Sequence, residues 1–195
     1  MQNGAVSSHD APIPGSCKGR LLVATPPLAD PNFDRTVVYV LEHSDDGAVG
    51  VVLNRPRNEI TPESLDRWQD WMSPPAVLFE GGPVELDALI ALARLEGPAD
   101  DAWSPVVGDL GSVDLGLDPA LVAHSVVRLR VFRGYSGWGP QQLDEELAEG
   151  AWMVLPAESE DVFSAQPEGL WRVVLRRQGG RLAWVANAPD DLSAN

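Results

Sequence analysis

Thr36-Val37-Val38-Tyr39-Val40-Leu41, then Ser44-Asp45-Asp46-Gly47, then Val49-Gly50-Val51-Val52-Leu53 is the stretch whose reading decides the fold. Two runs rich in β-branched residues flank a polar turn ending in glycine, which is the signature of a β-hairpin. Asn54-Arg55-Pro56 closes the second run. An antiparallel pair this early argues against a purely parallel, doubly wound sheet. The chain therefore reads as α+β: a mixed, largely antiparallel coiled sheet with a few short helices packed against it.

Outward from the hairpin, the same alternation of apolar runs and turn signals continues. Upstream, Leu21-Leu22-Val23-Ala24 reads as a short buried strand ending at Pro26-Pro27. Residues 1–18 are rich in Ser, Gly and Pro and aperiodic, so they read as a mobile tail, with order beginning at Gly19-Arg20, and deletion of residues 1–17 is expected to leave stability nearly unchanged. Downstream, Thr61-Pro62-Glu63 reads as a helix start with Thr61 as cap, and Val77-Leu78-Phe79 as a strand running into Gly81-Gly82-Pro83. Residues 97–105 read as a polar loop. Val126 to Phe132 alternates Val and Leu against Arg128 and Arg130, as a strand with one polar face does. Gly134 to Gly139 reads as a turn, and Pro140 opens a short helix that carries Leu143 and Leu147 on one face and stops at Gly150. Trp152 to Leu155 is a further strand. Pro167 to Gln178 is a helix with Leu170, Trp171, Val174 and Leu175 on one stripe. One α+β domain, residues 19–195, follows the tail.

The chain has 195 residues, enough to bury a substantial core. Its formal net charge is −15, and its one lysine is Lys18. DNA carries one negative charge per ~1.7 Å of helix, so its ligands present a basic face. The nearest approaches are Arg128, Arg130 and Arg133, and Arg172, Arg176 and Arg177, each beside acidic segments. Direct nucleic-acid binding and attachment to anionic membranes are both disfavoured. The first residues lack a basic and an apolar signal-peptide region, and no apolar run approaches ~18 residues, so the expected location is the cytoplasm.

The motifs that would announce a particular chemistry are missing. A single cysteine, Cys17, excludes an internal disulfide and a cysteine-cluster zinc site, and it reads as an incidental thiol. No phosphate-binding G-x-x-x-x-G-K-[ST] loop occurs. Gly134-Tyr135-Ser136-Gly137-Trp138 has neither the spacing of a dinucleotide loop nor that of a nucleophile elbow. His43 and His124 are far apart, without metal-ligand spacing, and His9 falls in the tail. No cofactor and no metal are expected.

Four segments in order carry a longer signature. They are Gly19 to Pro26 with Phe33-Asp34-Arg35-Thr36-Val37; Glu42-His43 through Gly47 to Pro56; Gly81-Gly82-Pro83-Val84; and Gly134 to Trp138 with Gln142 to Leu147. Together they resemble the YqgE/AlgH family of bacterial proteins, from Gly19 almost to the end of the chain. The resemblance implies a compact α+β fold with a coiled, partly split sheet, and no defined activity. Some family members are labelled transcriptional regulators of alginate production, a label that the net charge does not favour as direct DNA binding. One departure stands out: the family has Gly-Gln-Leu after the Gly-Trp turn, and this chain has Gln141-Gln142-Leu143.

The candidate ligand or partner site draws on Glu42, His43, Asn54, Arg55, Gly81, Gly82, Gly134, Tyr135 and Trp138. Antiparallel partners end at opposite edges, so Glu42-His43 and Asn54-Arg55 do not share a cleft through their own hairpin. Gly81-Gly82 has main-chain N–H groups suited to an anion, as has the helix start after Gly134 to Trp138. For each segment the competing reading is structural: a tight turn, a core-filling aromatic, or a self-bonded Asn. The first function to consider is a non-enzymatic regulatory or binding protein acting through a protein or small-molecule partner. The second is a hydrolase using His43 with Glu42 or another carboxylate, and the third is a DNA-binding regulator.

Overall fold

The computed structural model describes residues 15–26, 28, 30–57, 62–96, 103–121 and 125–187. Its frame is a single curled sheet of nine strands: β1 (Arg20–Ala24), β2 (Val37–Ser44), β3 (Gly47–Val52), β4 (Phe79–Glu80), β5 (Val84–Leu95), β6 (Trp103–Val107), β7 (Leu110–Val113), β8 (Val126–Trp138) and β9 (Trp152–Pro156). The order across the sheet is β6-β7-β5-β8-β3-β2-β1-β9, with β4 lying against β8. Every pair is antiparallel except β4–β8. The predicted hairpin is present as β2–β3, closing at Ser44↔Gly47.

Four α-helices, α1 (Gln142–Ala148), α2 (Ser159–Val162), α3 (Leu170–Arg177) and α4 (Gly180–Val185), and a 3-10 helix, Glu63–Trp71, pack on the sheet. The sheet is covered on both faces because its strands alternate between two apolar sets. Leu21 and Val23 of β1, Tyr39 of β2 and Phe132 of β8 face an inner core closed by Leu170, Trp171, Val174 and Leu175 of α3. Leu22, Ala24, Val38 and Val52 point the other way, into a core sealed by Leu143 of α1 with Trp138 and Trp152. Leu129 and Val131 of β8 join Leu65 and Trp68 of the 3-10 helix in a third core. Strands buried on both faces read as continuous apolar runs, and Leu21 to Ala24 does.

The structure departs from the sequence reading at several elements. Gly134 to Trp138 is not a turn but the end of β8, pairing Ser136↔Gly50, Gly137↔Val49 and Trp138↔Ala48. Gly134 itself takes φ 67, an irregularity glycine tolerates and other residues resist. The helix expected to follow is present as α1 and ends at Ala148, ahead of Gly150. Arg130 does not face solvent. It shares the inner face with Phe132, and the Val162–Ser164 segment covers it. Its guanidinium donates to the Val162, Ser164 and Pro74 carbonyls and lies over the Phe79 ring, and burial first, then Arg128, pushes its pKa down to about 10. The loop expected over 97–105 gives way to β6 at Trp103. The 3-10 helix begins at Glu63, behind Pro62, and the expected cap Thr61 lies outside the described residues.

Order also begins before Gly19. Cys17 is buried, its main-chain N–H donates to His43 Nδ1 at 3.0 Å, and the Ser16 hydroxyl donates to the His43 carbonyl at 3.1 Å. The end of β2 offers acceptors that a Ser and a main-chain amide satisfy, so polar composition did not mark this segment as undocked.

Candidate functional site

The nominated residues sort into two groups, one spent on scaffold and one at the hairpin end of the sheet. Asn54 Oδ1 accepts the Val37 N–H at 2.9 Å and its Nδ2 donates to the Arg35 carbonyl at 2.8 Å, tying β3's exit to β2's entry. Arg55 donates to the Pro31 carbonyl at 3.2 Å. The Gly81 N–H donates to the Arg133 carbonyl, and its own carbonyl accepts from Val52 N–H and the Ser136 hydroxyl, so it has no N–H left for an anion. A Cβ at Gly81 would sit 2.2 Å from the Gly134 carbonyl oxygen, and one at Gly82 would sit 2.3 Å from the Tyr135 carbonyl. Gly81, Gly82, Gly134 and Tyr135 thus meet at one crossing of main chains.

Trp138 is buried, and its indole N–H donates to Glu146 Oε2 at 2.9 Å. Trp152 donates to the same oxygen at 2.7 Å, while Gln142 Nε2 donates to Oε1 at 2.9 Å. Phe33 stacks against Trp138 and meets Trp152 edge-on. One carboxylate of α1 therefore fixes two tryptophans. The first turn of α1 carries Asp144 and Glu145, which repel an anion from the helix start that the sequence reading had proposed for one.

At the hairpin end, Glu42 pairs with Lys18 at 3.1 Å and His43 turns inward. The register His43↔Ala48↔Trp138 brings the histidine into one row with Trp138, and its Nε2 stands 3.9 Å from Asp144 of α1. Ser16, His43, Asp45, Asp46 and Asp144 border a hollow of about 370 Å³. Asp144 lies inside the quoted Gln142-to-Leu147 motif, but only the β2–β3–β8 register shows that it faces His43. The Cys17 thiol is raised above its ordinary pKa by burial first and then by Asp144, with Arg20 opposing. His124 and His9 lie outside the described residues. Among the described residues no group of three or more His, Cys, Asp or Glu side chains is placed to hold a metal, and no helix is long and apolar enough to cross a membrane.

A larger groove, of about 850 Å³, opens elsewhere, between the end of the 3-10 helix with Trp71 to Pro74, the start of β8, and α2 with α3. Two large apolar side chains exposed to solvent stand in it, Val127 at 45% and Val173 at 53%. Its wall also holds Ser73, whose hydroxyl oxygen is buried without a hydrogen-bond partner among the described residues. Sequence reading missed this groove, because its parts come from four separated segments.

The family model described as DUF179, AlgH-like, matches residues 21–183. A UPF0301 protein of Streptomyces avermitilis is 52% identical over 185 residues, covering 92% of this chain and 96% of its own. A UPF0301 protein of Mycobacterium tuberculosis is 42% identical over 181 residues, covering 91% and 90%. Among solved structures, protein DIP2367 of Corynebacterium diphtheriae superposes with a TM-score of 0.81 at 29% identity, over 86% of this chain and 90% of that one. The solution structure of the AlgH protein of Pseudomonas aeruginosa does so with a TM-score of 0.68 at 29% identity, over 93% and 99%. These names state no activity, but the family match takes in the motif segments from residue 21 onward and the sheet they build: the chain belongs to the AlgH-like family.

Proposed function

We propose that this protein works by binding a partner, as a non-enzymatic regulatory or ligand-binding protein. The hydrogen bonding of His43 carries the reading. Its Nδ1 accepts the Cys17 main-chain N–H, so the ring proton belongs on Nε2, towards Asp144. A general base needs an unprotonated nitrogen within hydrogen-bond reach of the group it activates. Here one nitrogen is occupied by a main-chain donor and the other carries the proton. The nearby thiol is no substitute, since its burial favours the protonated form, and the thiolate is the nucleophile.

One of the two arginine clusters that came closest to a basic face is largely spent within the chain, which supports a partner other than nucleic acid. Arg128 pairs with Glu160, Arg130 is buried, and Arg133 donates to the Leu86 carbonyl. The test is turnover of chromogenic esters, phosphoesters and amides by the purified protein and its His43→Gln variant. Neither is expected to exceed buffer. Turnover by the native protein that disappears in a folded His43→Gln variant overturns the reading in favour of a hydrolase.

A further inference from the structure

We infer that the groove between Trp71–Pro74, β8 and α3 is a docking site for an extended segment of another protein carrying alternating basic and apolar side chains; this rests on the binding reading above. Three observations meet there. The first is apolar exposure: Val127 and Val173 stand half-exposed in one concavity, above the buried rings and chains of Phe163 and Leu170. Concave sites that combine apolar lining with a few placed polar groups are where proteins take ligands. The second is Ser73. Its buried hydroxyl lacks a hydrogen-bond partner among the described residues, which costs free energy, and a turn of this small side chain towards a main-chain N–H or C=O laid along the groove supplies one.

The third observation is charge. Asp70, Glu158, Glu160 and Asp161 line the groove against Arg128 and Arg177, four acids to two bases. Both arginines are already engaged by those acids, Arg128 with Glu160, whose other oxygen takes Arg94 from outside the groove, and Arg177 with Asp161 and Glu158, so Asp70 is the acid of the four with no ion pair among the described residues. Asp70 and the outer parts of Glu158 and Glu160 remain turned to solvent, on a chain of net charge −15. The complementary ligand is cationic between its apolar anchors. An extended main chain suits the site, because its side chains alternate in direction, apolar ones inward to the valines and basic ones outward to the rim.

The probe is an eight-residue peptide of alternating Arg and Val, with a Glu/Val peptide as its counterpart, titrated into the full chain and followed by NMR of the indole N–H signals. We expect saturable binding of the Arg/Val peptide, centred on the Trp71 signal and weakened by salt. Val173→Glu and Asp70→Arg should each weaken it at least tenfold, and Leu121→Glu, on exposed surface away from the groove, should leave it unchanged. Circular dichroism of each variant confirms the fold. Equal binding of the Glu/Val peptide, or binding indifferent to both groove variants, overturns the groove assignment while leaving a binding function in place. A dimer in sedimentation that Val173→Glu dissociates also overturns it, because the occupant is then a second copy. His43-dependent turnover is the separate result that removes the binding reading itself.

Discussion

At Gln141 the chain holds a non-glycine residue in the left-handed region, φ 64 and ψ −9, one step before α1 begins. Glycine, which the resemblance noted above implies for this point, enters this region without a Cβ clash, and glutamine does not. Gln141→Gly is therefore expected to stabilise the protein by about 1 kcal/mol, read as a higher urea midpoint with an unchanged slope. Tyr39 gives a second prediction at this scale. Its phenol is pushed up to about 12, by burial first and then by the Asp109 carboxylate. A tyrosine in the unfolded chain titrates near ~10. Between those values the unfolded chain releases a proton that the folded chain keeps. Stability is thus full below about pH 10 and declines as pH rises towards the folded value. Tyr39→Phe should flatten this alkaline decline by about 1–2 kcal/mol, measured as unfolding free energies from about pH 9 to pH 11.5.

Among the elements, the Ser16–Lys18 segment is a small lock on the end of β2. Chains started at Gly15 and at Gly19 should differ in stability by about 1–3 kcal/mol, because the shorter one leaves His43 Nδ1 in the interior without its donor. Equal melting temperatures for the two would show that the segment contributes nothing. Which elements were legible in the sequence follows from their physics. The β2–β3 hairpin was readable because β-branched residues flank a polar turn, and α3 because four apolar residues fall on one helical stripe. β5 was not readable. Val84 to Leu95 is dominated by Leu and Ala, which favour helix, and its pairing with β8 on one side and β7 on the other holds it extended. Gly134 to Trp138 misled for the opposite reason: its glycines spell a turn, but Gly134 lets the chain at Gly82 and Val84, between β4 and β5, pass close against β8.

For the molecule as a whole, the two-sided sheet couples its cores. Leu21 and Leu22 are neighbours in β1 that point into different cores, and both are fully buried. Leu21→Ala and Leu22→Ala should each cost about 2–5 kcal/mol. Both should shift tryptophan fluorescence and far-ultraviolet circular dichroism to one common midpoint, since neither core persists without the shared strands. Separate midpoints would show two units. The candidate site was legible only in part. Neighbours in sequence, such as Glu42 and His43, were found, whereas Asp144 and the groove around Ser73 depend on register and on helix placement that no local pattern encodes.

The curl of the sheet has a further consequence. Val107, at the end of edge strand β6, rests against Gly19 at the start of β1, where a Cβ would come within 2.5 Å of its side chain. Pro105 removes one main-chain donor from that same strand. At the opposite edge, Pro156 closes β9, and its carbonyl is taken by Arg177 at 2.9 Å. Both rims are thereby poor templates for adding a strand from a neighbouring molecule. Strand addition from a neighbouring molecule is thereby disfavoured at both ends of the sheet, where it would otherwise start most readily.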